Sequence, residues 1–531
     1  MKKLTNKDFL GMISSGAANL ENHEKEINTL NVFPVPDGDT GTNMTMTFNN
    51  GNSEARNCLS NNICDSAKAL SKGLLMGARG NSGVITSQIF RGFAKAIEGK
   101  NELSVNDLAN GFIEGARTAY KAIMKPIEGT ILTVIKESAY YANKDLEENK
   151  DEEIEDYISS LYMHAKESLD KTPELLQALK EAGVVDSGGA GLTYVFEGFK
   201  LYLEGKPIIK KDIDTLELTN NSKDDNYIGY KINLKLLLNK EYQKNFDLSL
   251  INKRLEKISE NIILNSKDEI VDISVSTIKP GEVLNVVQRY GEFISLNIEN
   301  PSLEKYESKK EEKEYGVIAV ASGDGLTNLF YELNADIVLS GGQTMNPSTQ
   351  DFVNKIDELD HCKNIIILPN NSNIILAAEQ AKILSKKDIV VIPTKSIQAG
   401  ISALSVFNST SDLKNNEKVM SEAALNIKTA QVTYAVKDTS FDGVNVKEND
   451  FISIVGKTII DSGSDLKDIC LKTIEKLLEN KDLELLTIIT GDKASEDITN
   501  SLVEYVEKTG QFEVEIIKGD QPVYSYLFGL E

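Results

Sequence analysis

At 531 residues the chain is too long for one hydrophobic core, so two to four domains are expected. A formal net charge of −23, from 58 Lys and Arg against 81 Asp and Glu, argues against a nucleic-acid partner and against charge-driven binding to an anionic membrane. No stretch is apolar enough to span a membrane, Lys2 and Lys3 are not followed by the apolar run of a signal peptide, and Cys58, Cys64, Cys362 and Cys470 form neither a close metal pair nor a disulfide framework. A reduced, cytoplasmic protein is the expectation.

Residues 5 to about 204 read as helix after helix, with no strand-like alternation between them. Thr5-Asn6-Lys7-Asp8 is a capping-box pattern, and Phe9, Met12, Ile13, Ala17, Leu20 and Ile27 follow at helical spacing. Next comes the stretch Asn31-Val32-Phe33-Pro34-Val35-Pro36-Asp37-Gly38-Asp39-Thr40-Gly41-Thr42-Asn43-Met44. Its prolines stiffen the approach, and Gly38 and Gly41 allow turns and a close approach of backbone to ligand. Asp37 and Asp39 are paired carboxylates, and Thr40, Thr42 and Asn43 add hydroxyl and amide groups in the same loop. Hard oxygen ligands on a tight loop suit Mg²⁺, which shares its shell with phosphate oxygens, so a Mg-nucleotide site is the first reading. The alternative is a plain turn, because Asp bonds its own backbone and Gly accepts positive φ. The ligand pattern of an EF-hand is absent, and no Gly-Lys-Ser/Thr follows as in a Walker A loop.

Asp65 to Met76 and Ser82 to Ile97 are further helical candidates, and Ser104-Val105-Asn106-Asp107 is a second capping box. Thr172-Pro173 starts a helix that Gly183 ends. Three polar loops open helices: Gly77 to Gly83, Lys125 to Thr130, and Asp186 to Gly191. Their backbone N–H groups could face phosphate. Helix capping by Asn81 or Ser82, or close helix packing by the glycines, is the alternative.

Residues 205–226 form a polar linker, and 227–300 alternate strands with a helix, giving a small α+β domain. Ile270 to Ile278 and Phe293 to Ile298 read as strands, and Pro280 to Tyr290 as a helix. A Lys/Glu-dense second linker covers 301–314. Residues 315–531 carry short apolar runs at Gly316 to Ala321, Ala335 to Leu339, Asn364 to Leu368 and Asp388 to Ile392. Helical stretches separate at least three of them, which predicts βαβ units on a parallel sheet. Their strand-end loops, 322–325, 340–348 and 369–373, are where ligands and partners usually sit. Shorter strands, a hairpin signal at Asp442-Gly443 and two more strand–helix alternations close the chain.

The stretch from Asn31 to Met44 resembles the nucleotide loop of the DhaL family, the ATP-binding subunits of dihydroxyacetone kinases. More closely it resembles the catalytic subunits of bacterial fatty acid kinases, the FakA family. Gly341-Gly342-Gln343-Thr344-Met345-Asn346-Pro347-Ser348 and Gln431-Val432-Thr433-Tyr434-Ala435 carry that resemblance to the end of the chain. It implies that residues 1–204 are a barrel of antiparallel helices with nucleotide at one end. It also implies that Asn81, Ser82, Thr130 and Asp186 lie on the nucleotide side. Asn31 stands, one residue offset, where dihydroxyacetone kinase subunits have an aspartate, and counts with Thr42 and Asn43 as nucleotide-binding. Relatives carry Gly-Tyr-Cys-Thr-Glu and Val-His-Val-His-Thr in the middle domain, a Cys/His/His set that suits zinc. Here the same places read Gly229-Tyr230-Lys231-Ile232-Asn233 and Ile273-Ser274-Val275-Ser276-Thr277, so zinc is not expected.

Phosphoryl transfer needs positioning and charge neutralisation more than covalent help. Asp37, Asp39 and Thr40 are the expected catalytic residues, the two aspartates as Mg²⁺ ligands beside ATP. Arg79 is either a transition-state cation or an exposed structural arginine. A fatty acid carboxylate is already ionised at neutral pH and needs no general base, which suits a chain whose three histidines, His23, His164 and His361, fall in helices and a loop. The resemblance implies a kinase acting on a fatty acid held by a separate FakB-like carrier protein. A glycerone-type small-molecule kinase and a non-catalytic nucleotide-sensing scaffold are the alternatives. The long C-terminal half disfavours the first, and the Asp37/Asp39 pair disfavours the second. The sequence leaves the oligomeric state open, a homodimer included.

Overall fold

The computed structural model describes residues 1–32, 38–123, 125–149, 153–209, 229–240, 242, 248–267, 269–300, 312–342, 346–435, 438–441, 443–456, 458–479 and 483–531. Most of both expected linkers, 210–226 and 301–311, lies outside the described residues, as do Gln343, Thr344 and Met345. The chain divides into two compact units: Met1–Lys210 together with Glu312–Glu531, and Lys211–Glu311 between them in sequence.

The first part of the larger unit is all-helical: α1 (Asn6–Asn22), α2 (Glu24–Leu30), α3 (Thr40–Asn57), α4 (Ile63–Gly77), α5 (Gly80–Ala96), α6 (Val105–Ala122), α7 (Ile131–Glu148), α8 (Ile154–Asp170), α9 (Thr172–Leu175), α10 (Gln177–Ala182) and α11 (Ser187–Leu203). Both capping boxes form: Thr5 accepts from the Asp8 N–H, Ser104 accepts from the Asp107 N–H, and each aspartate reaches back to its cap. One continuous core holds the bundle, with Phe9, Phe48, Phe90, Phe93, Phe112, Phe196 and Phe199 at its centre. Phe48–Phe90 and Phe112–Phe196 meet edge-on and Phe9 lies parallel to Phe93 with centroids 6.2 Å apart, arrangements that ring quadrupoles favour. Two details differ from the expectation. The helix begun at Thr172-Pro173 breaks at Leu176, whose extended backbone (φ −127°, ψ 111°) separates α9 from α10, before Gly183 ends the second piece in the left-handed region. The other difference is at Thr40, Thr42 and Asn43, which belong to the first turn of α3 and not to a loop.

The smaller unit contains β1 (Tyr230–Leu238), α12 (Leu248–Leu255), β2 (Glu260–Lys267), β3 (Ile270–Thr277), α13 (Pro280–Val287) and β4 (Gly291–Glu299). The sheet is antiparallel, in the order β2-β3-β1-β4. Ile232, Leu234, Leu236 and Leu238 alternate inward along β1 and meet Ile251, Leu255, Val283 and Val287 of the two helices. One helix is expected there and two form.

The α/β part of the larger unit begins with β5 (Lys313–Ala321), α14 (Asp324–Glu332), β6 (Ile337–Ser340), α15 (Thr349–Glu358), β7 (Cys362–Leu368), α16 (Ile375–Leu384), β8 (Asp388–Val391), α17 (Ile397–Ser405) and α18 (Leu413–Asn426). The strands β6-β5-β7-β8 form a fully parallel sheet, as the βαβ pattern predicts. Because β5 starts at Lys313, the charged stretch assigned to a linker yields its last two residues to a strand. Helices cover both faces, so β5 and β7 are buried almost throughout. The rest of the chain forms β9 (Lys428–Tyr434), β10 (Thr439–Phe441), β11 (Val444–Val446), β12 (Phe451–Val455), β13 (Thr458–Gly463), α19 (Leu466–Leu478), β14 (Leu485–Thr490), α20 (Glu496–Thr509), β15 (Glu513–Lys518) and β16 (Tyr526–Leu530). A second sheet runs β13-β12-β9-β16-β14-β15. The antiparallel pair β10–β11 flanks the Asp442-Gly443 turn signal, of which Asp442 lies outside the described residues.

Candidate nucleotide site

Four long helices, α3, α5, α7 and α11, begin at one end of the bundle. Asn81 and Ser82 from the first turn of α5, Thr130 to Leu132 at the start of α7, and Asp186 to Gly188 at the start of α11 line one cavity of about 190 Å³. Ser187 donates to the Thr40 hydroxyl at 3.2 Å, which ties the start of α3 to the same place. The residue before each of α3, α5 and α7 is Asp39, Arg79 or Thr130, and none of the three makes a side-chain cap hydrogen bond. Asn28 takes the Thr42 N–H, Asp186 the Ile131 N–H, and the Thr130 carbonyl the Thr133 N–H. The missing caps leave the rest of the first-turn N–H groups available to an anion, with the positive ends of three macrodipoles behind them. Ile85, Ile123, Ile127 and Ile131 supply apolar wall to the same cavity, and Lys125 stands at its edge. A lining that combines polar side chains, one cation and aliphatic wall fits a nucleotide, whose phosphates and base need the two kinds of surface.

Asp39 is 6% exposed. Its carbonyl accepts from the Asn43 N–H at 2.8 Å, closing the first turn of α3, and its Oδ2 accepts from the side-chain amide of Asn346. Asn43 is buried as well and accepts weakly from the same amide, at 3.4 Å. Gly80 sits against Asn43 with φ +59°. A Cβ there would lie 2.6 Å from the Asn43 amide nitrogen, so both its backbone angle and its neighbour require glycine. Thr42 is held by α2: its hydroxyl donates to Glu24 at 2.9 Å, and Asn28 bonds both its hydroxyl and its N–H. Those bonds make Thr42 a clamp between α2 and α3. Asn31 is buried at the end of α2, and Asp37 lies outside the described residues. Among the described residues no three His, Cys, Asp or Glu side chains form a metal-sized cluster.

Asp186 caps α11 by accepting from the Gly189 N–H at 2.7 Å. It is buried, and burial pushes its carboxyl up to about 6 against the pull of amide bonds from Gly189 and Ile131. So Asp186 is a cap and a cavity wall at once. Thr130 bonds the Ile127 carbonyl at 2.7 Å and keeps its place on the wall.

Arg79 is half-buried, not exposed, and is engaged in structural contacts. Its guanidinium donates to the Asn346 carbonyl at 2.6 Å and lies 3.5 Å from the Asp351 carboxylate. The histidines stand apart from the cavity: His23 stacks on Tyr194 at 3.9 Å, His164 bonds Asp145 at 2.7 Å, and His361 precedes β7.

Sequence reasoning missed the contribution of the α/β part. Besides Asn346, Asn373 accepts from the Asn81 amide at 3.0 Å, and Leu376 of α16 forms part of the cavity wall. The Thr349 N–H bonds the Ala78 carbonyl at 3.1 Å, Gln88 bonds Gln380 at 3.3 Å, and Ala78 and Val84 join the core beneath α15 and α16. The signals were the Gly341 to Ser348 motif and the strand-end loops 340–348 and 369–373, which hold Asn346 and Asn373; nothing pointed to Leu376.

Three family models account for nearly the whole chain: a DAK2 domain over 34–201, a FakA-like middle domain over 228–308, and a FakA-like C-terminal domain over 316–531, the last two named for fatty acid kinases. An uncharacterized protein of Staphylococcus haemolyticus is 43% identical over 100% of both chains. The chain belongs to the FakA-like family of DhaL-domain kinases. An uncharacterized protein of Staphylococcus epidermidis is 42% identical, again over 100% of both chains. Among solved structures, a fatty-acid-binding DegV family protein from Thermus thermophilus aligns at 12% identity and a TM-score of 0.32, covering 41% of this chain and 99% of its own. The dihydroxyacetone kinase of C. freundii with AMP-PNP and Mg²⁺ aligns at 21% and a TM-score of 0.28, covering 36% of this chain and 33% of its own. The DAK2 match over 34–201 spans the helices whose N-termini converge on the cavity. Among the described residues no helix is long and apolar enough to cross a membrane.

Proposed function

We propose that the chain is an ATP- and Mg²⁺-dependent kinase that phosphorylates the carboxylate of a fatty acid presented by a separate carrier protein. The product is an acyl phosphate, and the reaction takes place in the cytoplasm. The observation that carries this reading is one cavity lined by the starts of α5, α7 and α11 at Asn81, Ser82, Thr130 and Asp186, with the start of α3 tied to it through the Ser187–Thr40 bond, in a chain that carries FakA-like middle and C-terminal domains.

The N–H groups of the first turns of α3, α5 and α7 bind the phosphates. Asn81 and Ser82 orient them, with Thr130 and Asp186 closing the opposite wall. Asp39, with Asp37, would hold Mg²⁺, and Thr40 would bond a phosphate oxygen. Mg²⁺, when bound, neutralises charge on the phosphates. The acceptor carboxylate oxygen forms a bond to the γ-phosphorus as the bond to the bridging oxygen breaks and ADP leaves. No proton moves from the acceptor, which accounts for a site without a histidine. Lys231, Ser274 and Ser276 are not zinc-ligand types, so the middle domain functions without zinc.

The test is to incubate the purified chain with ATP, Mg²⁺ and palmitate-loaded carrier and to trap acyl phosphate as the hydroxamate. Hydroxamate that requires both ATP and carrier is expected. Phosphorylation of free dihydroxyacetone with none of palmitate would overturn the reading in favour of a glycerone kinase.

A further inference from the structure

On the kinase reading, Asp39 and Asn43 stand where an acceptor must approach the terminal phosphate. Both are buried, and Asn346 covers them. Around that contact the α/β part makes a continuous polar seam on the helical bundle: Arg79 to Asn346 and Asp351, Ala78 to Thr349, Asn81 to Asn373, and Gln88 to Gln380. The nucleotide cavity opens beside this seam. A nucleotide can therefore enter, while a macromolecular acceptor finds the metal-binding face occupied.

We propose that this face, from Asp39 through Arg79 and Asn81 to Gln88, is the docking surface for the acceptor-presenting protein, and that the chain's own α/β domain occupies it at rest. The inference rests on the kinase reading above. Three features favour an exchangeable seam over a permanent one. Three of its six side-chain bonds are neutral amide pairs, which a partner or water can replace at little net change, and the three that involve Asp39 or Arg79 are ones a partner of matching charge can take over. Asn346 is 2% exposed, and its Oδ1 is buried with no hydrogen-bond partner, a loss that a fully optimised contact avoids. Thr349 likewise buries an unpartnered hydroxyl in the same seam. The partner that fits presents a carboxylate and a carbonyl to Arg79, an amide to Asn81, and a small aliphatic surface to Ala78 and Val84. Covering Asp39 until that partner arrives keeps water from the terminal phosphate, so ATP is not hydrolysed without an acceptor.

The Thr349 N–H···O=C Ala78 bond brings the two backbones within range for a disulfide. The double variant Ala78→Cys/Thr349→Cys, oxidised, should bind palmitate-loaded carrier at least tenfold more weakly than after reduction. Its acyl phosphate formation should fall in parallel, while its affinity for a fluorescent ATP analogue changes less than twofold. Gln380→Arg, which places a charge in the buried amide pair, serves if the double variant does not fold or oxidise. It should bind carrier severalfold more tightly than the wild type and hydrolyse ATP faster without it. Equal carrier binding by the oxidised and reduced forms, or by Gln380→Arg and the wild type, overturns the inference. Absence of acyl phosphate from the wild type itself would instead overturn the kinase reading, and carrier binding would still judge the docking surface.

Discussion

Asp39 holds a carboxylate at 6% exposure against the side-chain amide of Asn346. Asp37→Ala and Asp39→Ala should each lower acyl phosphate formation by on the order of a thousandfold or more, the scale of losing a metal's charge neutralisation. Asp39→Ala should leave the melting temperature in Mg²⁺-free buffer within about 4 °C of the wild type. The lost bond to Asn346 and the relieved desolvation of a buried carboxylate oppose each other there. Unchanged turnover in both variants would remove the site assignment. Asp186 makes a different claim. Its folded carboxyl titrates at about 6 against an ordinary value of 3.8, so between those values the folded state holds a proton that the unfolded chain has released. Stability contributed by this group therefore falls as pH rises from about 4 to about 6 and is level above. Asp186→Asn, which keeps a capping oxygen, should flatten that decline, read as urea midpoints across the range; a midpoint difference independent of pH would refute it. Asn81, Ser82, Thr130 and Asp186 line one cavity; in the sequence the family resemblance picked them out, each from a polar stretch at the start of a helix. Asn346 and Asn373 stood in strand-end loops marked for ligands or partners, but nothing local showed that they reach the helical bundle, and nothing marked Leu376.

Helix ends that depend on neighbours in sequence were readable: both capping boxes and the Gly183 terminus are local hydrogen-bond patterns. The break at Leu176 and the start of α3 at Thr40 were not, since Thr and Asn read as loop residues until tertiary packing turns them into a helix. In the middle sheet the register sets Lys231 opposite Ser276 and Asn233 opposite Ser274, and Ser274 bonds Asn233 at 2.7 Å. The positions that carry Cys, His and His in relatives thus fall side by side on paired strands, with residues that do not bind zinc. Elemental analysis of the purified protein should find less than about 0.1 zinc per chain, against the tight binding that structural sites show. One tightly held zinc would show the correspondence to be wrong.

At the scale of the molecule, the sequence suggests separate domains strung on linkers, whereas the helical and α/β parts share one compact unit. Composition shifts mark where a chain changes texture, and they do not report which textures pack together. Because Ala78 and Val84 belong to the core under α15 and α16, heating should unfold the helical and α/β parts in one cooperative transition. Residues 211–311 should follow their own. Calorimetry of the wild type tests this, and two separate transitions within the larger unit would contradict it.

The seam between Asn81 and Asn373 joins residues 292 positions apart. The bundle ends at Leu203, about 170 positions before Asn373, so at ribosomal rates of about 5–20 residues per second it waits roughly 10 to 35 s after its own synthesis before its cover is made. During that interval the nascent chain exposes a formed Asp39 face with nothing on it. A carrier present at the ribosome could occupy the face first, so the order of arrival during biosynthesis, as well as affinity, would set how many finished molecules begin life with their acceptor face already taken.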